Sequence, residues 1–324
     1  MPQLILLNSD MTEIGSVDID IDAEYGTSED STNDIEISTQ EIQAYHPGGI
    51  YLPGTEIGGI FEYAKSKTDT DIQTLKAWTW RGLLTQSLIL PPAGSNYKIV
   101  SGEANSIISD MLSNVLGGFF RVPSTSSGLT ISSYQFPLYI NTLDGLEGML
   151  ENYGYRLSIH ADKISNGVAV TVEAVEATVI AGTYNDDSEI PMIFTDDNMG
   201  INHLLCAGSG ELQARMKVDL YIGADGKVTT TKYYTGFAER TAFYDYSSAE
   251  SMDDLVDYGS KRLLELASHR TLTIEAPDDL NIEVGDIAQG TFPDGTVVRL
   301  PIVKKIFRIA GGLILTEVEI KGGI

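Results

Sequence analysis

The chain has 324 residues and sets 46 Asp plus Glu against 21 Lys plus Arg, a formal charge of −25. Such a balance excludes wrapping nucleic acid or resting on an anionic membrane, because phosphates and lipid headgroups would be repelled. It leaves open a pore through which DNA passes without adhering. With 42% hydrophobic residues and 16 tyrosines, the chain has the apolar surface for a folded core, and its length suits two or three domains.

One cysteine, Cys206, rules out an intrachain disulfide framework and a multi-cysteine zinc site. It sits in the apolar run Asn202-His203-Leu204-Leu205-Cys206-Ala207-Gly208 and reads as a buried free thiol. The start, Met1-Pro2-Gln3-Leu4-Ile5-Leu6-Leu7, has too short an apolar stretch and no basic flank for a signal peptide, so it reads as a first strand. No run approaches the length of a membrane span. The expectation is a protein made in the cytosol and soluble there.

Residues 1–100 read as strands joined by polar turns. In Ile14–Asp22, Val17, Ile19 and Ile21 alternate with Asp18, Asp20 and Asp22. An extended strand does not converge three carboxylates on a calcium ion, so these read as a solvated face. Asp34-Ile35-Glu36-Ile37-Ser38 alternates likewise, and Gly48–Gly59 holds a strand framed by glycines. Next, Ile57–Tyr63 and Ile72–Trp80 form the arms of a hairpin closed by the polar run Lys65–Asp71. Strand period puts Thr74, Lys76, Trp78 and Trp80 on one face. A break at Arg81-Gly82 then leads to a short apolar turn, Leu83–Leu88, ended by Pro91-Pro92.

The period then changes. Apolar residues at 104, 107, 108, 111, 112, 115 and 116 give a helix over 103–116, with Ser101 as N-cap and Gly117-Gly118 as its end. A second helix covers Leu143–Tyr153, capped by Asn141 or Thr142, and the strands Tyr155–Ile159 and Val168–Glu173 follow. From about residue 190 strands return, with the strongest hairpin signal at Met216–Ile222, Asp225-Gly226 and Val228–Tyr234. A long helix spans about 248–268, with Met252, Leu255, Val256, Leu263, Leu264 and Ala267 as its stripe. Strands at 271–274, 297–300 and 312–319 close the chain.

Three features resemble phage tail hub (baseplate hub) proteins, the late-control-protein-D-like tail tip family. The first is the corner Trp80-Arg81-Gly82-Leu83-Leu84 followed by Ile89-Leu90-Pro91, although the family's usual Arg late in this run is replaced by Ser87-Leu88. The second is Leu280-Asn281-Ile282-Glu283-Val284-Gly285-Asp286-Ile287, similar to the family's Gly-Asp turn before its last strands. The third is the helix end Lys261–Glu265 running into Arg270–Ile274, then Ile302–Ile306 leading to Leu313–Ile320. Their order spans nearly the whole chain. Trp80, Arg81, Gly82, Gly285 and Asp286 are therefore the candidate structural-motif residues.

The resemblance implies an α+β, mostly β fold of tube-like antiparallel β-barrel domains with an inserted small helix-hairpin domain. The expected divisions are a first barrel at 1–100, a helix–helix–hairpin unit at 101–185, and a second barrel at 186–324 carrying the long helix. It further implies a homotrimeric hub at the virion tail tip. Its expected partners are the distal tail or tail tube protein, the tape measure protein and a tail fibre or spike protein, and DNA passes through without specific binding. The pairs Asp186-Asp187, Asp196-Asp197 and Asp253-Asp254 read as solvated loops or helix caps.

Some tail hubs resemble a hub fused to a peptidoglycan hydrolase, but here the last strand ends at the chain's end, so no hydrolase domain is expected. His46, His160, His203 and His269 lack metal-ligand spacing, Gly208-Ser209-Gly210 is not a nucleophile elbow, and there is no phosphate-binding glycine loop. No enzymatic activity, cofactor or metal is expected. The alternative is a carbohydrate-binding module stacking sugars on exposed Trp78, Trp80 and surface tyrosines.

Overall fold

A computed structural model of the chain describes residues 3–39, 48–66, 73–183, 192–274 and 282–320. Ile72, His46, most of the predicted 65–71 turn, Asp186-Asp187, Pro277-Asp278-Asp279 and Leu280-Asn281 lie outside them, as do the side chains of Asp196 and His269. The chain forms two compact units, 1–192 with 273–321, and 193–272 with 322–324.

The larger unit opens with β1 (Leu4–Leu7), β2 (Glu13–Val17), β3 (Ile21–Gly26), β4 (Asp34–Thr39), β5 (Gly49–Tyr51), β6 (Gly58–Ser66) and β7 (Gln73–Thr79). The expected single strand 14–22 is thus two, broken at Asp18–Asp20, where Asp20 turns its carboxylate to accept from the Gly311 amide. After β7 come α1 (Trp80–Leu84), β8 (Ile99–Glu103), α2 (Ala104–Leu112), β9 (Thr130–Gln135) and α3 (Thr142–Glu151). The hairpin β10 (Tyr155–Ile164) with β11 (Gly167–Glu176), and then β12 (Val179–Thr183), complete this part.

α2 is shorter than its apolar period. A 3-10 turn at Val115–Gly117 puts Leu116 at φ +47° and exposes it, and the cap is Glu103 rather than Ser101. The Glu103 carboxylate accepts from the Ser106 amide at 2.9 Å and from the Ser127 amide at 2.7 Å, pinning the helix start to the 126–128 loop. Burial by itself would raise this carboxyl; the Ser127 hydroxyl and the amides of Ser127, Ser106 and Asn105 outweigh it and hold the pKa at about 2. α3 starts at the expected Asn141 cap.

The second unit holds β13 (Met192–Asp197), β14 (His203–Ala207), β15 (Lys217–Ile222), β16 (Val228–Thr229), β17 (Thr241–Asp245), α4 (Met252–Leu266) and β18 (His269–Ile274), whose last two residues belong to the larger unit. Its four-stranded sheet runs β16-β15-β14-β17, and β17 lies parallel to β14. α4 packs Leu255, Gly259 and Leu263 against Leu204, Cys206 and Leu220. Gly259 permits that approach, since a Cβ there would sit 2.6 Å from the Cys206 sulfur. Burial, aided by Asp219, pushes the Cys206 thiol up to about 11, so it is the inert buried thiol expected. Met252 and Leu264, expected in the stripe, face solvent. Asp254 closes a capping box with Ser251.

The chain then returns to the large unit as β19 (Ile287–Thr291), β20 (Val297–Ala310) and β21 (Leu313–Ile320). Residues 304–309 of β20 pair with 21–26 of β3, which joins the last strands to the first in one eleven-stranded sheet. Its order is β12-β19-β20-β3-β4-β7-β6-β5-β1-β2, with β21 beside β20.

The fold is mostly β with few helices, as expected, but no closed barrel forms among the described residues. The big sheet stays open, with β2 and β12 ending its path, and the β12–β19 pair is parallel. β1 lies between two cores: Leu4 and Leu6 pack with Ile35, Ile37, Leu75 and Phe307, whereas Ile5 and Leu7 pack with Trp80, the helices and β10–β11. No helix among the described residues is long and apolar enough to cross a membrane.

Candidate functional site

The Trp80-Arg81-Gly82 corner is a helix start. Thr79 accepts from the Gly82 amide at 3.0 Å and donates its hydroxyl to the Asn33 carbonyl at 3.1 Å, so α1 begins at Trp80, one residue after β7 ends. The expected break at Arg81-Gly82 is absent because this cap carries the helix through both residues. Gly82 is needed for packing: a Cβ there would lie 2.6 Å from the Asn33 carbonyl oxygen. Trp80 leaves the strand face it was expected to share with Trp78. It is fully buried, with its ring 5.7 Å from that of Phe119, and Trp78 packs against the same core. Neither offers an exposed platform for a sugar ring.

Arg81 is buried and charged. Its Nε reaches Glu56 Oε1 at 2.5 Å and a terminal nitrogen reaches Oε2 at 3.0 Å, a fork on one carboxylate. It also donates to Glu147 on α3 and, at 3.1 Å, to the Leu157 carbonyl on β10. Burial favours the neutral guanidine, but the facing Glu56 and Glu147 carboxylates outweigh it and raise the Arg81 pKa. Burial pulls Glu56 upward against the opposing pull of Arg81. Glu147 is held at about 7, with burial the larger influence and Arg81 the restraint. Tyr25, buried beside Glu283 and Glu56, is raised well above its ordinary value by burial first and these carboxylates second.

The Gly285-Asp286 turn grips the adjoining residue of the same strand. Asp286 Oδ1 accepts from Arg156 Nε at 2.8 Å and the Thr178 amide at 2.9 Å, and Oδ2 accepts from the Glu283 amide at 2.9 Å. Gly285 has φ +90°, and a Cβ would stand 2.6 Å from Arg156 Cβ. The two motifs, some 200 residues apart in the chain, thus hold Arg156 and Leu157 at the start of β10. Beside them lies a mostly apolar cavity of about 150 Å³, lined by Glu147, Tyr155, Arg156, Gly285 and Ile302 among others. Sequence reasoning missed Glu56. It falls inside the glycine-framed strand read over Gly48–Gly59, and nothing local there signals an arginine 25 positions on.

The outward face of β3, β4 and β20 is acidic. Asp20, Asp22, Glu24, Asp34 and Glu36 line an open groove of about 520 Å³ together with Ser38 and Arg308. Arg308 Nε meets Asp22 at 2.9 Å, and Lys76 lies 3.3 Å from Asp34 and 2.9 Å from Glu36. Carboxylates outnumber cations on this face. Among the described residues no cluster of His, Cys, Asp and Glu has the makings of a metal site.

In the second unit, His203 on β14 stacks on Tyr221, with ring centroids 4.4 Å apart. Its Nδ1 lies 2.9 Å from Glu239 Oε1 and its Nε2 2.7 Å from Asp219 Oδ1.

No family model matches the sequence, and no curated protein matches it. Solved structures similar in fold are a prophage tail protein, gp18, from Listeria monocytogenes (12% identity, 99% of this chain and 94% of that one, TM-score 0.47); the 43 kDa tail protein of prophage MuSo2 from Shewanella oneidensis (10%, 98% and 98%, 0.46); and a chain of the p2 virion baseplate in its activated conformation (10%, 99% and 98%, 0.41). These three are phage tail and baseplate proteins.

Proposed function

We propose that this chain is a structural hub subunit of a phage or phage-like tail tip. In this reading three copies form a ring that closes the tail tube, and each supplies two β-rich parts, the large open sheet and the four-stranded sheet of the second unit. The ring joins the distal tail or tube protein, contacts the tape measure protein, and carries a fibre or spike. It works by shape and assembly, without an enzymatic step.

The acidic face of β3, β4 and β20 carries the proposal. An ordered sheet surface with carboxylates in excess repels the DNA backbone and supplies a wall along which a genome slides without sticking. The buried clamp on β10 supports it further, because a load-bearing ring needs its helices and sheet fixed to one another. The alternative of glycan recognition loses its tryptophan platform, since Trp80 is buried, and keeps only exposed tyrosines such as Tyr139 and Tyr233.

The test is the mass of the purified protein by light scattering over a concentration series. A species three times the 35.1 kDa of one chain, alone or with the neighbouring tail-ring protein, is expected. A chain that stays monomeric with that partner present overturns the proposal.

A further inference from the structure

Residues 230–240 connect β16 to β17, and besides the bonds from the Asn202 and His203 amides to the Arg240 carbonyl (3.0 and 3.1 Å), two side chains strap them to the start of β14. One strap is independent of pH. The Asn202 side chain donates to the Ala238 carbonyl at 2.7 Å and accepts from the Arg240 amide at 2.9 Å. The other is His203, whose side chain is 14% exposed and stands between two carboxylates.

A neutral imidazole carries one N–H, so it can satisfy one of these carboxylates and presents a lone pair to the other. Only the doubly protonated ring donates to Asp219 at 2.7 Å and to Glu239 at 2.9 Å together. The groups facing the ring are Asp219 and Tyr221 on β15, Glu239 in the connecting segment, and the Thr241 hydroxyl on β17 at 3.0 Å from Nδ1. Lys232, on the same segment, holds the other Glu239 oxygen at 2.6 Å; this pair keeps Glu239 ionised and aimed at the ring.

We infer that His203 is a proton-operated latch. With the imidazolium in place, residues 232–241 are fastened to the sheet; loss of the proton releases at least one carboxylate and loosens the segment. That segment carries Tyr233 and Phe237 with their rings exposed, so the latch sets how firmly a pair of aromatic contacts is presented. The inference rests on local geometry and is independent of the hub proposal.

The experiment uses the full-length chain labelled with ¹⁵N. Ring-nitrogen shifts of His203 report its protonation state, and amide exchange at Ala238 and Glu239, corrected for the intrinsic pH dependence of exchange, reports the segment. The ring-nitrogen shifts themselves locate the pH range over which the ring gives up its proton. Protection should fall about tenfold across that range, the loss of one charge-assisted hydrogen bond.

His203→Gln should abolish the pH dependence. Asp219→Asn, which keeps the shape and can pair with either form of the ring, should reduce it. Protection that does not change across that range, or the same pH dependence in His203→Gln, would overturn the latch.

Discussion

Replacing Arg81 with Met removes the guanidinium that grips Glu56 at a site where both side chains are almost wholly buried (1% and 4% exposed). The methionine fills much of the same volume, so the loss is electrostatic rather than a cavity. Glu56 is left with an uncompensated charge, and breaking a buried pair in this way costs about 3–5 kcal/mol. Burial already pulls the Glu56 carboxyl up, and without Arg81 only the weaker attraction of Lys305 opposes it. A carboxyl with a raised folded pKa takes up its proton more readily in the native state, so the penalty is greatest at pH 8 and shrinks as pH falls toward the ordinary carboxylate range.

Urea unfolding followed by tryptophan fluorescence reads this directly, because both tryptophans of the chain, Trp78 and Trp80, flank the site and report the larger unit alone. Arg81→Lys should recover only part of the stability, since an ammonium cannot reproduce the fork on Glu56. Arg81→Met with Glu56→Gln should recover part as well, by removing the orphaned charge. A cost below about 1 kcal/mol for Arg81→Met, or one equal at pH 5.5 and pH 8, would refute the reasoning.

Two further substitutions probe the scaffold. Glu103→Gln removes the carboxylate that caps α2, so it should cost about 1–2 kcal/mol at neutral pH; because the folded pKa is depressed to about 2, the contribution is present above pH 4.5 and lost as pH falls through about 2, and the difference from the parent in acid unfolding should narrow over that window. Gly285→Ala meets both a positive φ and a Cβ 2.6 Å from Arg156 Cβ and should cost about 2–4 kcal/mol, whereas Gly54→Ala, at φ +76° with open space around it, should cost about 1–2 kcal/mol; equal costs in thermal melts would show that the Arg156 contact is not the reason for Gly285.

The sequence determined the elements whose information is local. Asn141 and the apolar spacing after it set α3, Asp225-Gly226 set the β15–β16 turn, and alternation set the β10–β11 hairpin, because caps, turns and period act over a few residues. It also singled out both motifs that converge on β10, without showing that they meet. Tertiary structure decided the rest. The pairing of β20 with β3 joins residues some 280 apart, and no local pattern encodes which edge a strand will choose. The strands β8, β9, β12, β17 and β19 were not foreseen; each has only five or six residues, too few to show a period by itself, and they form because a neighbour supplies the hydrogen bonds.

Trp80 reads as the end of a strand until Thr79 caps a helix in front of it. Glu56 reads as one residue of a glycine-framed strand until the fold brings a buried guanidinium against it. In both cases the residue's own surroundings in sequence favour one state. The packed core overrides that preference, because hydrogen bonds and charges count for most where water is excluded, and only the fold decides where that is.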